Sequence, residues 1–93
     1  MEKNIQELIN RLIVKTENNQ AKWYKTSRVQ EFALDLSQGK ITTDLWSGER
    51  DEDGSTFSNA DFRLYNDKGD EIYSCVVGFE EDPDHYRLID KLN

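Results

Sequence analysis

Ile5, Leu8, Ile9, Leu12 and Ile13 follow the i, i+3, i+4, i+7, i+8 spacing of one helix face. Further along, Phe32, Leu34 and Leu36, then Ile41, Thr43 and Leu45, recur at every second position, the period of a strand with one covered face. That change of period limits the fold more than any other feature, because a helix and a sheet that each have one apolar side are stable when those sides meet. The spacing predicts a helix from residue 4 to about residue 20, with Asn4 as its N-cap and Glu7 in the capping-box position. Asn18-Asn19-Gln20 ends it, and Lys22-Trp23-Tyr24-Lys25 begins an extended segment whose aromatics are placed to cover the helix C-terminus.

The alternation predicts four strands. Residues 29–36 and the run through Ile41 to Leu45 flank Ser37-Gln38-Gly39-Lys40, as in a β-hairpin. A polar loop is expected over 47–58. Residues 60–65 and 71–79 form a second pair about Asn66-Asp67-Lys68-Gly69-Asp70, where Gly69 can take positive φ. Asp82-Pro83 reads as an N-cap and first helical residue, leading into a short helix with His85, Leu88, Ile89 and Leu92 on one face.

The expected architecture is one α+β domain over residues 1–93: an N-terminal helix packed on a four-stranded antiparallel meander sheet, with a short C-terminal helix closing an edge or end. Its core is expected at Ile5, Leu8, Ile9, Leu12, Ile13, Phe32, Leu34, Leu36, Ile41, Leu45, Phe62, Leu64, Val77 and Phe79. The other sheet face is left to solvent or a partner, and alternation puts Trp46 and Tyr65 on it. Cross-strand packing among aromatics on that face is the simplest role for them, and contact with a partner is the other.

Lys22-Trp23 after the leading helix, Gln38-Gly39-Lys40-Ile41-Thr42, and the stretch Leu64-Tyr65-Asn66-Asp67-Lys68-Gly69-Asp70 together resemble a diffuse set of uncharacterised bacterial and phage-associated domains. The likeness spans most of the chain. It implies the fold and carries no functional residue with it.

Charge is uneven along the chain. Residues 1–46 hold seven Lys/Arg and six Asp/Glu, whereas residues 47–93 hold five and thirteen. A one-signed field of that kind steers and selects what a surface meets. It also argues against direct nucleic-acid binding, because phosphate neutralisation needs cations and the basic, aromatic stretch from Lys22 to Arg28 is small. Ninety-three residues allow one core and favour an exposed binding face over a deep pocket. Cys75 is the single cysteine, so no internal disulfide is expected. The stretch Met1-Glu2-Lys3-Asn4 does not open a signal peptide, and the longest apolar run, Leu12-Ile13-Val14, is far too short for a bilayer, so the cytoplasm is the expected compartment and no membrane is expected as a partner.

Two acidic segments are the candidate chemistry. Glu49-Arg50-Asp51-Glu52-Asp53-Gly54-Ser55 has carboxylates spaced before a glycine as in a calcium loop. Glu49 stands where Asp is usual, Ala60 where a bidentate Glu is required, and the flanks read as strands, so a solvated hairpin loop is the better reading and no metal or cofactor is expected. In Glu80-Glu81-Asp82-Pro83-Asp84, helix capping accounts for part of the charge. Cys75 on a strand and His85 on a helix read as a small hydrophobe and a surface imidazole rather than a catalytic pair, and no nucleophile or phosphate-loop motif occurs. The expectation is a non-catalytic protein presenting Trp46, Glu49, Asp51, Glu52, Asp53, Tyr65, Glu71, Glu80 and Glu81 to a basic protein partner, with an inhibitor, immunity or anti-defence role as its sharpest form. A structural or homodimeric domain that pairs through its exposed sheet face is the second reading, and a small metal-binding or hydrolytic protein the third.

Overall fold

The computed structural model describes residues 2–93 and has the order α1 (Lys3–Glu17), β1 (Tyr24–Lys25), β2 (Glu31–Leu36), β3 (Gly39–Glu49), β4 (Thr56–Asn66), β5 (Glu71–Gly78), α2 (Pro83–Leu92). The fold is α+β, with an N-terminal helix, a C-terminal helix and an antiparallel meander sheet in the order β1-β2-β3-β4-β5. The sheet has five strands rather than the expected four. The additional one, β1, pairs Tyr24 with Ala33 and Lys25 with Phe32. Two residues are too few to show an alternation, which is why this strand has no signature in the sequence.

Register explains the core. Leu34, Ile41, Leu64 and Tyr73 stand in one row across the sheet, and Phe32, Thr43, Phe62 and Cys75 in the next. Both rows face the helices. Ile9, Leu12 and Ile13 of α1 and Ile89 and Leu92 of α2 join Leu34, Ile41, Ala60 and Phe62 in one cluster. Burying a ring such as Phe62 contributes about 1.5–3 kcal/mol. Leu36 and Phe79, expected in the core, are exposed at the end of β2 and just beyond β5. Phe32 is only half-buried, since its neighbour across β1 is the solvent-facing Lys25.

Three local details differ from the sequence reading. Glu2, not Asn4, holds the N-cap position of α1 and makes no side-chain cap bond; Asn4 lies inside the first turn. The 47–58 loop is shorter than expected, because β3 continues to Glu49 and β4 starts at Thr56. Val29 precedes β2 instead of beginning it, and is lifted to 83% exposure by the left-handed turn at Gln30 (φ 58°). Other expectations hold. Trp23 donates from Nε1 to Thr16 Oγ1 at 2.9 Å, and Thr16 donates to Leu12 O at 2.7 Å, so the indole does cover the end of α1. Asp82 caps α2 with Pro83 as first residue, and Gly69 takes φ 86°. No helix among the described residues is long and apolar enough to cross a membrane.

Candidate functional site

β3 and β4 outrun their neighbours. β2 pairs with β3 as far as Asp44, and β5 pairs with β4 from Asn59 onward, so residues 47–49 and 56–58 pair as strands with each other, and Phe79 N donates to Ser58 O at the arm's base. At the root of this two-stranded arm, the Trp46 and Phe57 rings meet edge to face with centroids 5.7 Å apart. Phe57 lies over Gly48, where an added Cβ would come within 2.9 Å of the ring. Beyond it the Arg50 guanidinium sits 5.7 Å from the Phe57 centroid and pairs with Glu80 at 3.2 Å. That ion pair ties the arm's loop to the turn before α2.

The loop 50–55 is internally bonded. Arg50 N donates to Ser55 O and Gly54 N to Arg50 O, with Gly54 at φ 73°. Asp53 Oδ1 accepts from Ser55 N at 2.9 Å, and hydrogen bonds from the Ser55 side chain and backbone hold its carboxyl below the usual range. Segments 49–53 and 80–84 therefore share one end of the molecule, with eight acids and one base between them. A cleft of about 270 Å³ separates them, lined by Arg50, Phe57, Ser58, Asn59, Glu80 and Glu81. In the second segment Asp82 accepts from His85 N at 3.3 Å and lies 2.6 Å from His85 Nδ1; the His85 contact lowers its pKa.

Of the nine residues expected at a binding face, Glu49, Asp51, Glu52, Asp53, Glu80 and Glu81 collect at this acidic end, with Trp46 at the root of the arm. Tyr65 and Glu71 pair with each other at the opposite end of the sheet. There Tyr65 lies under Lys40, Nζ to ring centroid 5.3 Å, and Glu71 pairs with Arg63 at 3.2 Å.

The sheet face away from the helices holds a feature that the alternation alone does not reveal. Glu31, Asp44 and Asp61 stand directly opposite one another across β2, β3 and β4, and each is at most 8% exposed. Long side chains roof them: Arg28 reaches Glu31 at 3.3 Å and Asp44 at 3.7 Å, Arg63 reaches Asp61 at 3.3 Å, and Trp46 Nε1 donates to Asp61 at 3.1 Å. Thr26 Oγ1 donates to Glu31 at 2.8 Å. Among the described residues, Asp44 Oδ1 is the one buried side-chain oxygen without a hydrogen-bond partner. Burial raises the Asp44 pKa, Arg28 lowers it, and Asp61 and Glu31 raise it again. Asp is depleted in strands, so two of them within alternating runs were a visible oddity; their alignment depends on register, which the sequence does not display.

Cys75 is half-buried beside Tyr73, and burial pushes its thiol pKa up. His85 is engaged by Asp82. Among the described residues no three His, Cys, Asp or Glu side chains are grouped to hold a metal ion. No family, curated protein or solved structure matches the chain.

Proposed function

We propose that this is a non-catalytic binding protein whose acidic end receives a basic surface on another protein. The observation that carries the reading is the Arg50–Glu80 ion pair, because it brings two acidic segments, 30 residues apart in sequence, onto one end. Carboxylates in an exposed loop give steering and selectivity, and the Trp46–Phe57 pair at the arm's root supplies the aromatic area that anchors contacts. Asp51, Glu52 and Asp53 are exposed and have no cation partner among the described residues. A partner whose own site is cationic would be covered by them, which is the logic of an inhibitor, immunity or anti-defence protein. A free, half-buried cysteine suits the reducing cytoplasm.

Photo-crosslinking in the source cells tests the reading. With the crosslinker at position 52, the expected adduct is a protein attached through a Lys/Arg-rich segment, lost when Glu49 and Asp51 are changed to Lys. Adducts formed only from position 65, or through neutral or acidic segments, would sink the proposal.

A further inference from the structure

Beside the arm, the loop before β2 and the outer part of β3 enclose a cleft of about 360 Å³ lined by Arg28, Val29, Gln30, Asp44, Leu45, Trp46 and Ser47. Two apolar side chains stand open on it: Val29 is 83% exposed and Trp46 41%. Gln30 (φ 58°) holds Val29 out, and that turn is itself fixed, since Gln30 O accepts from Leu45 N and from Asn93 Nδ2. Asp44, the middle member of the row of buried carboxylates, lines the cleft. Among the described residues, Glu31, Asp44 and Asp61 are met by two guanidiniums, those of Arg28 and Arg63, and the buried oxygen without a partner belongs to Asp44, the member that lines the cleft. One negative charge in a poorly solvated place is thus left uncompensated. Arg28 answers it weakly, from 3.7 Å and with a side chain 61% exposed.

We propose that this cleft is a socket for one lysine or arginine side chain of the protein partner, whose cationic head completes the charge balance at Asp44 while its methylene stem lies between Val29 and Trp46. The inference rests on the binding role proposed above and adds to it a specific seat. A cation against a buried carboxylate is a strong contact, and a long basic stem packs well on apolar walls. Arg28 Nη2 need only leave Asp44, which it meets at 3.7 Å, while Nη1 keeps its contact with Glu31 at 3.3 Å. In the free protein a proton on Asp44 is the competing way to remove the uncompensated charge. The groups that set this competition are Arg28 on the loop, Glu31 on β2, and Asp61 and Arg63 on β4. Cation binding then expels the proton, and affinity rises with pH.

An oligo-lysine peptide titrated into the folded chain, followed by the Trp46 indole N–H and the Asp44 carboxyl carbon in NMR, tests this. Both signals are expected to move. Asp44→Asn is expected to weaken binding at least about tenfold, more than the charge-matched change Asp67→Asn at the far end of the sheet. Lowering the pH towards 3.8, the ordinary aspartate value, should weaken wild-type binding and spare Asp44→Asn the Asp44-linked part of that loss. If binding moves only residues 49–53 and 80–84, or if Asp44→Asn and Asp67→Asn weaken it equally, the socket is overturned and the acidic-end reading stands. No shift anywhere at millimolar peptide would overturn both.

Discussion

Asp44 on β3 and Asp61 on β4 stand directly opposite each other, both more than nine-tenths buried. Like charges facing across a strand pair oppose folding; here Asp61 has both oxygens answered, by Trp46 Nε1 and Arg63, whereas Asp44 has Arg28 at 3.7 Å from Oδ2 and nothing on Oδ1 among the described residues. Asp44→Asn is therefore expected to stabilise the protein, by about 1 kcal/mol at neutral pH, since it removes a buried unsatisfied charge and keeps the shape. The sign of the pH dependence follows from the raised Asp44 pKa. The folded state binds this proton more tightly than the unfolded one, so ionised Asp44 costs stability above its folded pKa, and the cost disappears as pH falls through that value towards 3.8. Urea melts of the two proteins should diverge at pH 7 and converge in acid. A neutral-pH loss on substitution would mean that the Arg28 contact outweighs the burial.

Gly39 faces the backbone of β4 so closely that an added Cβ would lie 2.0 Å from Tyr65 O. No side-chain rotation relieves a contact with main chain. Gly39→Ala should force β3 and β4 apart where Gly39 pairs with Asn66, at a cost of about 2 kcal/mol by overpacking. Gly48→Ala meets only the Phe57 ring, which can move, and should cost less. Comparing their urea midpoints checks the order.

At the start of α2, Asp82 accepts from the backbone of His85, and the His85 contact lowers its pKa. A lowered carboxylate pKa stabilises the fold above the unfolded value of 3.8, and that contribution is lost as pH falls through the folded pKa below it. Asp82→Ala should speed amide exchange across residues 85–92 at neutral pH and make little difference once Asp82 is protonated. Equal exchange in both proteins at pH 7 would show that Pro83 alone starts the helix.

Periodicity made the architecture legible because α1, β2 to β5 and α2 each bury one side. It failed where no period exists, at two-residue β1, and where a polar strand end is ordered by pairing instead of burial, as at 47–49 and 56–58. The acidic end was half legible: the clusters at 49–53 and 80–84 are plain in the sequence, and their meeting depends on the length of an arm that the polar-loop reading cut short. Charge and alternation group Tyr65 and Glu71 with them, and register carries both to the other end. Alternation with Phe32, Leu34 and Leu36 places Glu31 on the outer sheet face. It is 7% exposed because Arg28 and Thr26 close over it, a contact from a loop whose path no period records.

Arg50 is the single base among the eight acids of segments 49–53 and 80–84, and it touches Phe57, Glu80 and Ser55 at once. Two consequences of Arg50→Gln oppose each other. Stability should fall by less than about 1 kcal/mol, because the Glu80 partner is 58% exposed and solvent screens such a pair. Attraction for a basic peptide should rise, since the end loses its positive charge and Glu80 is released to face the ligand. The gain should be a few-fold at low ionic strength and vanish near about 1 M salt, where the screening length shrinks to about 3 Å. Anisotropy titrations of a labelled oligo-lysine peptide at both salt levels, with melts to confirm the fold, measure the two effects separately. Weaker binding at low salt with the fold intact would show that Arg50 orders the loop for binding, and that holding the arm against Glu80 matters more than the charge it neutralises.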